Sequence, residues 1–318
     1  MVTAVLALMF AAKPQVTAWV VGYNPASVQR LAEHADQLST IFMESYMVNA
    51  DGMPARREAN RDATNRARSI AKDHHIEYYA MINNYEEGSG SDGFDPVRMT
   101  KAVATEQTRF SLAMSLMLLA KEDKADGVDL DIESMKADDR DRYSAFVKTL
   151  ARLLHGQKMK LSVTVHPKQE ARGTWDGNQA QDYKAIGEWA DRVNIMTYDF
   201  SWSSSPEGPI APNDWVERVI SFAKTQIDPK KIGMGIACYG YDWSTSPGRS
   251  VGWDDLSTKP TAIDPKSGEV VDGKLHFGGA ESFRQKLDLA TKFGVGSVAF
   301  WYCGSEDPAI WKLIPNRE

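Results

Sequence analysis

Short runs rich in apolar and β-branched residues alternate along the chain with longer runs whose apolar positions recur at helical spacing. The short runs predict eight strands, at residues 17–23, 40–46, 76–82, 127–133, 160–165, 192–198, 231–239 and 296–301. Eight strands that alternate with helices in one chain predict an α/β protein with a (β/α)8 TIM barrel fold. Since one such barrel takes roughly 250 residues or more, we expect residues 1–318 to form a single barrel domain.

Capping residues mark the ends of several predicted helices. A side-chain oxygen just before a helix satisfies its first backbone N–H groups, and glycine is the usual residue just after one. The predicted N-caps are Asp95 (before Pro96), Asp138 and Asn213; the predicted C-terminal stops are Gly156 and Gly294, the latter ending a helix at about 280–293.

Residues 242–279 are poor in strand signals and rich in turn signals such as Ser246-Pro247-Gly248 and Asp272-Gly273. This stretch follows the seventh predicted strand. It predicts a small insertion within the barrel domain, with a hairpin around residues 266–268, and it is too short to form a second domain with its own core.

Composition excludes several classes of protein. The chain is 42% hydrophobic and 25% charged with a net charge of −6, which fits a globular protein and argues against a nucleic-acid or anionic-membrane partner. No run of 18 apolar residues predicts a transmembrane helix. Two cysteines, Cys238 and Cys303, exclude a disulfide scaffold and a thiolate zinc site, and no HExxH spacing occurs. We expect the two thiols to be free and buried.

Residues 1–12 carry no charge and resemble the apolar part of a secretory signal, although the basic segment that usually precedes it is missing. The segment is equally compatible with an N-terminal stretch packed on the body of the protein. We expect a secreted or cell-wall-associated monomer.

The strongest chemical feature is the run DGVDLDIE at residues 126–133. Because side chains alternate across a strand, Asp129, Asp131 and Glu133 share one face, which points into the barrel at its catalytic end. Three like charges in a confined space repel one another, so protons are shared and at least one pKa rises. A carboxylic acid that keeps its proton near neutral pH is what glycosidic-bond cleavage requires. Asp126 has the opposite parity and is expected to be structural.

Two other interpretations of this acidic strand remain. The carboxylates are also compatible with a Ca²⁺ or Mg²⁺ site, or with solvated acids on an edge strand. EF-hand spacing is absent, because its glycine and its twelfth-position glutamate are missing.

With DGVDLDIE, the segment Met196-Thr-Tyr198-Asp199 and Trp301, the chain resembles glycoside hydrolase family 18, the chitinase-like family. The likeness runs from about residue 17 to residue 313 and is greatest to its bacterial spore-germination and peptidoglycan-directed branch. The segments that carry this second likeness are residues 48–52, 83–84, 175–177, 208–212 and 239–243. The chain departs from that branch in having Asp129 where asparagine is frequent, in lacking N-terminal peptidoglycan-binding repeats, and in its short insertion.

The resemblance implies retaining hydrolysis in which the 2-acetamido group of the substrate is the nucleophile and a cyclic oxazolinium forms. Glu133 would act as acid and then base, Asp131 would orient the acetamide and stabilise the positive charge, and Asp129 would share a proton with Asp131. Tyr198 would hold the acetamide oxygen. No metal or organic cofactor is required.

Further residues are expected to contact the sugar. The resemblance implies this role for Asp199, Met196 and Trp301, with Trp301 under the distorted ring. Positions at or near strand ends add Tyr46, Asn84, Trp202 and Tyr241. Trp243 and Trp253 are weaker candidates for stacking, and His166 is expected to be a loop histidine without a catalytic role.

We expect the partner to be a polysaccharide that contains N-acetylglucosamine, with β-1,4 bonds of chitin or chitooligosaccharides as the first substrate. A β-N-acetylglucosaminidase acting on the peptidoglycan of spore cortex or cell wall is the alternative. A catalytically silent chitin-binding protein and an endoglycosidase of protein-linked glycans are further alternatives. Silent relatives usually lose the terminal glutamate, whereas Glu133 is present here.

Overall fold

The computed structural model describes residues 13–86, 93–256 and 262–317. The predicted secretory segment, residues 1–12, lies outside the described residues.

Eight parallel strands form a closed barrel. They are β1 (Gln15–Val20), β2 (Thr40–Val48), β3 (Glu77–Asn83), β4 (Gly127–Asp131), β5 (Lys160–Val165), β6 (Arg192–Ile195), β7 (Ile232–Ala237) and β8 (Ser297–Trp301). Each strand pairs with the next, and β1 pairs with both β2 and β8, which closes the sheet. The predicted (β/α)8 barrel is confirmed.

Helices surround the barrel. They are α1 (Pro25–His34), α2 (Arg61–Asp73), α3 (Pro96–Val103), α4 (Glu106–Glu122), α5 (Arg140–Gly156), α6 (Asp176–Gln179), α7 (Tyr183–Trp189), α8 (Asn213–Lys224) and α9 (Ala280–Phe293). Short 3₁₀ turns occur at Ala35–Gln37, Glu58–Asn60, Ala137–Asp139, Pro229–Lys231, Trp253–Asp255 and Pro308–Leu313.

The predicted helix ends are largely confirmed. The carboxylate of Asp95 accepts from the N–H of Val97 at 2.8 Å, and Gly294 ends α9 with a left-handed φ of +65°. Two N-caps were wrong. Asp138 lies inside a 3₁₀ turn that precedes α5, and Asn213 is the first residue of α8, where its side chain bonds Gln285 of α9 instead of capping its own helix.

Two apolar regions follow from the alternation along the strands. Outward residues of β4 such as Val128 and Leu130 pack in the layer between barrel and helices. Inside the barrel, Trp19, Phe42 and Tyr79 form an aromatic cluster with ring centroids 5.5 to 5.6 Å apart. This cluster fills part of the barrel interior, where Asp129 and Asp131 are also buried.

The insertion has more strands than predicted, within nearly the predicted bounds. The predicted hairpin is present, since Ala262–Ile263 pairs antiparallel with Val270–Asp272. It belongs to a five-stranded antiparallel sheet with Gly240–Asp242, Arg249–Val251 and Leu275–Phe277, which buries a small apolar cluster of its own. Strands of two or three residues are too short to show an alternating pattern in sequence, and the same holds for Pro54–Arg56, which pairs with β2.

Candidate active site

Asp129 and Asp131 of β4 are buried inside the barrel, as predicted. Asp129 is fully buried and Asp131 is 3% exposed, while Glu133 follows the end of the strand and is half-buried. Burial, and next the charges of Glu133 and Asp129, raise the pKa of Asp131 well above its usual range. The alternative of solvated acids on an edge strand is thereby wrong.

Asp129 is fully buried and accepts hydrogen bonds from a neighbouring side chain. The hydroxyl of Thr164 on β5 donates to both carboxylate oxygens, at 3.1 and 3.3 Å. Burial raises the pKa of Asp129 to about 6, although hydrogen bonds from Ser162 and Thr164 favour the ionised form. Asp129 therefore keeps its proton to a higher pH than an exposed aspartate does.

Asp131 has one oxygen without a protein donor. Its Oδ1 atom is buried and has no hydrogen-bond partner among the described residues. A buried oxygen of this kind costs free energy until it finds a donor or a proton. It therefore has the capacity to accept an N–H group of a ligand.

The backbone of Glu133 is held from two sides. Its N–H donates to Oδ1 of Asn84 at 3.1 Å, and its carbonyl accepts from Nε2 of His166 at 2.7 Å. Burial lowers the pKa of His166 to about 4, so the ring is neutral and Nε2 carries the proton. His166 is thus more than the loop histidine that was expected, because it fixes the candidate acid.

The prediction that Asn84 contacts sugar was wrong. Its side chain is fully buried, and its amide donates to the carbonyls of Ser134, at 2.7 Å, and Asp95, at 3.3 Å. All three groups that its side chain bonds belong to the backbone. Asn84 therefore positions Glu133 and Ser134.

Tyr198 and Met196 follow β6 and are both buried. Burial raises the pKa of Tyr198 well above its usual range, and the charges of Asp131 and Glu133 raise it further. The phenol is therefore protonated at any working pH and has a hydroxyl that can donate.

Asp199 lies among tyrosines at the mouth of the barrel, which is the opening at the carboxyl ends of its strands. It adopts a left-handed backbone with φ of +57°, and its Oδ1 accepts from the hydroxyls of Tyr239 and Tyr241, the latter at 3.1 Å. The ring of Tyr239 meets the edge of Tyr198 at a centroid distance of 6.0 Å. The structure thus brings three predicted site residues, Asp199, Tyr241 and Tyr198, together. It adds Tyr239, which ends a predicted strand but was not among the predicted site residues.

Trp301 ends β8 and is partly buried over the interior aromatic cluster. Its ring lies 5.8 Å from Trp19 and 5.7 Å from Tyr302, and the Trp301–Tyr302 peptide bond is cis. An aromatic ring that closes the top of a packed barrel is suited to form the floor of a sugar site.

The prediction for Tyr46 was wrong. The ring is fully buried, its hydroxyl donates to Asp123 after α4, and Arg56 lies over its face. The register of β2 against β3 shifts between Glu44 and Tyr46. This irregularity breaks the two-residue alternation, so Tyr46 packs outside the barrel although Phe42 lies inside.

Glu44 is a site residue that sequence analysis did not select. It is buried, accepts from Asn83 and Asn60 at 3.2 Å, and pairs with Arg57 at 3.3 Å. Its charge also raises the pKa of Asp131. The sequence signal that could have identified Glu44 is that it is a single acid within the apolar run of β2.

The loop tryptophans predicted to stack on sugars differ in how exposed their side chains are. Trp202 is half exposed on the loop after β6, where its backbone N–H donates to Ser205 Oγ. Trp243 is buried and packs on Tyr241 and His276, and Trp253 packs on Phe277. Trp243 and Trp253 therefore anchor the insertion.

Among the described residues, no cluster of three or more His, Cys, Asp or Glu side chains is arranged to hold a metal ion. Cys238 and Cys303 are free, buried thiols. Within the described part of the chain, no helix is both long and apolar enough to cross a bilayer.

Comparison with known proteins shows which family the chain belongs to. The family model for glycosyl hydrolases family 18 matches residues 18–306. An uncharacterised glycosylase of Bacillus subtilis is 27% identical over 316 residues, covering 92% of this chain and 90% of that protein. The cortical fragment-lytic enzyme of Bacillus anthracis is also 27% identical, over 74% of this chain and 58% of the enzyme.

Solved structures are similar over nearly the whole chain. A class V chitinase from Pseudomonas fluorescens matches with a TM-score of 0.85 and 26% identity, covering 95% of this chain and 98% of that one. The spore cortex-lytic enzyme SleL of Bacillus cereus matches in fold with a TM-score of 0.83 and 23% identity, over 95% of this chain and 74% of that one. With the family model spanning the barrel and its acidic strand, the chain belongs to glycosyl hydrolase family 18 and is a glycoside hydrolase related to that family's bacterial spore-directed branch.

Proposed function

We propose that the protein hydrolyses β-1,4 bonds adjacent to N-acetylglucosamine in chitin-type glycans, with retention of anomeric configuration. The observation that carries this proposal is the state of Asp131, which is buried against Glu133 and Asp129 and has an oxygen without a donor among the described residues. An acetamide N–H of the substrate is a donor that satisfies this oxygen.

In the first step, Glu133 gives its proton to the glycosidic oxygen while the acetamide oxygen of the substrate attacks its own anomeric carbon. The bond to the leaving sugar breaks, and a bond to the acetamide oxygen forms on the opposite face. In the second step, Glu133 takes a proton from water, whose oxygen attacks the same carbon and opens the ring. Two displacements at one carbon restore its original configuration.

The neighbouring residues act on the charge of the cyclic intermediate. Asp131 accepts the acetamide N–H and stabilises the positive charge that develops there. Tyr198 donates to the acetamide oxygen and holds it for attack. Asp129 shares a proton with Asp131, and Trp301 supports the sugar from below.

The charge of the mouth supports chitin as the first substrate. The carboxyls of Glu133, Asp129 and Glu44 act on Asp131, Asp199 acts on the adjacent Tyr198, and Arg57 is already paired with Glu44. Peptidoglycan carries carboxylates on its muramic acid and peptides, and these are repelled by an acidic mouth. Chitin is uncharged.

A second candidate is a peptidoglycan β-N-acetylglucosaminidase. The observation that favours it is the similarity to cortical fragment-lytic enzymes of Bacillus. Both polymers contain the acetamido sugar that the proposed chemistry requires, so the two candidates differ in the leaving group.

The test uses proton NMR to measure the anomeric configuration of the product released from a defined chitooligosaccharide in the first minutes of reaction. We expect the β-anomer first, full activity in the presence of a chelator, and inhibition by a thiazoline analogue of the intermediate. Faster release from purified peptidoglycan than from chitooligosaccharides would favour the second candidate.

Glu133→Gln should lower kcat by roughly 10²–10⁴-fold because general acid and base are both lost, while oligosaccharide binding persists. Glu281→Gln, on the outer surface of α9 and paired with Arg284, is the matched control and should keep wild-type activity. Initial release of the α-anomer, or binding by the wild type without turnover, would contradict the proposal.

A further inference from the structure

Trp175 has a large exposed ring beside the candidate acid. It lies on the loop between β5 and α6 and is 47% exposed, although a tryptophan side chain is among the most costly to leave in water. None of the roles proposed above uses it. Exposure of such a ring next to a polar mouth indicates a surface that a ligand covers.

Three contacts place the ring next to Glu133. The indole meets the ring of His166 at a centroid distance of 4.5 Å, and Nε2 of His166 donates to the carbonyl of Glu133 at 2.7 Å. Gly177 lies between them, since a Cβ atom there would stand 2.2 Å from the indole and 2.9 Å from that carbonyl oxygen. The loop therefore packs directly on the backbone of the acid, and only glycine permits this approach.

The loop that carries Trp175 is held in place from within the protein. Oδ1 of the buried Asn178 accepts from the backbone N–H groups of Thr174 and Trp175, at 3.0 and 3.2 Å. The ammonium group of Lys168, also buried, donates to the carbonyl of Asn178 at 3.1 Å. Because the indole is positioned before any ligand arrives, stacking on it requires little ordering of the protein.

The position of the ring in the barrel defines which sugar it meets. In the closed order of eight strands, β4 and β8 are diametrically opposite. Trp301 ends β8, and Trp175 stands on the Glu133 side of the mouth. The proton of Glu133 goes to the oxygen that joins the reacting sugar to the leaving sugar, so a ring packed on the backbone of Glu133, across the barrel from Trp301, is placed to meet the leaving sugar.

We propose that Trp175 stacks on the pyranose ring of the leaving group and forms the first binding site on the reducing-end side of the cleaved bond. The axial C–H groups of a β-linked sugar present an apolar face that fits the face of an indole. This inference rests on the proposed glycoside hydrolysis and adds a specificity-determining residue to it.

The test compares two substrates that differ only beyond the cleaved bond. Chitotetraose has leaving sugars, whereas chitobiosyl fluoride has a single fluorine atom in their place. Trp175→Ala should lower kcat/KM about tenfold for chitotetraose, the loss of one aromatic contact, and leave kcat/KM for the fluoride within about twofold. Trp175→Phe should recover part of the loss, because it restores a smaller aromatic face.

Phe110→Ala is the matched control. Phe110 is 44% exposed on α4, on the outside of the barrel, and its loss should change neither substrate. Equal loss on both substrates in Trp175→Ala would show that the ring only supports Glu133, and no loss on either would show that it meets no sugar; both results overturn the inference. A wild-type protein that hydrolyses neither substrate would contradict the proposed function itself. Thermal denaturation of each variant checks that folding is unchanged.

Discussion

At the scale of single residues, the three acids on and just after β4 differ in what surrounds them. Asp129 has a hydroxyl donor from Thr164, Asp131 has a buried oxygen without a partner among the described residues, and Glu133 is held through its backbone. Burial raises the pKa of Asp129 and of Asp131. Neighbouring acids of one strand thus acquire different proton affinities from their environment, which acid–base chemistry exploits.

Asp129 should make stability depend on pH. Its pKa rises from 3.8 to about 6 on folding, so between these values the folded protein holds a proton that the unfolded chain has lost. The free energy of unfolding of the wild type therefore falls as pH rises from about 4 to about 6, by up to about 3 kcal/mol from this group.

Asp129→Asn does not titrate and should not show this fall. The unfolding free energy of the variant minus that of the wild type should therefore increase across the same pH range. Urea denaturation at pH 4, 5, 6 and 7 measures this difference. A difference that stays constant with pH would mean that Asp129 is not protonated more readily in the folded state.

At the scale of elements, the ends of β2 and β3 decide which side chains enter the mouth. The register shift after Glu44 sends Tyr46 outward and leaves Glu44 as the inward residue near the top of its strand. The end of β3 supplies Asn84, which reaches across to the backbone that follows β4. Small departures from regular strand geometry therefore set the composition of the site.

Asn84→Ala should weaken catalysis without weakening sugar binding. The N–H of Glu133 and the carbonyl of Ser134 lose their partner, which costs about 1–3 kcal/mol of stability and frees the acid from its position. We expect kcat to fall with KM nearly unchanged in steady-state kinetics on a chitooligosaccharide. Asn84→Asp keeps the acceptor for Glu133 and should recover part of kcat. A rise in KM alone would indicate that Asn84 contacts the sugar after all.

At the scale of the whole molecule, the five-stranded insertion and the loop after β6 form one connected unit. Glu269 of the insertion is buried and accepts from the N–H groups of Ile210 and Ala211, at 3.0 and 2.8 Å. The N–H of Asn213, the first residue of α8, donates to the carbonyl of Lys266. The insertion therefore supports the segment that begins with Tyr198 and Asp199.

Glu269→Ala should destabilise the protein by about 2 kcal/mol or more, because two buried N–H groups lose a charged acceptor. Urea denaturation gives the change. The matched control is Glu217→Ala, whose carboxylate pairs with Lys292 on the surface and should contribute about 1 kcal/mol or less. Equal effects of the two substitutions would show that the insertion is not tied to the barrel through Glu269.

The sequence by itself determined the features that depend on local spacing. Alternation along β4 predicted that Asp129 and Asp131 face inward together, eight strand–helix repeats predicted the barrel, and a cap such as Asp95 predicted a helix start. These features arise from neighbours in the chain, so they can be read from it.

Only the tertiary structure decided the features that depend on distant residues. The outward turn of Tyr46, the burial of Glu44, the support that Asn84 gives to Glu133, and the extent of the insertion sheet were all outside the reach of sequence pattern. A register shift shows no periodicity, strands of two or three residues are too short to show one, and a side chain that bonds backbone 49 residues away leaves no trace in spacing. The physical reason is that packing between elements, rather than preference within them, sets these positions.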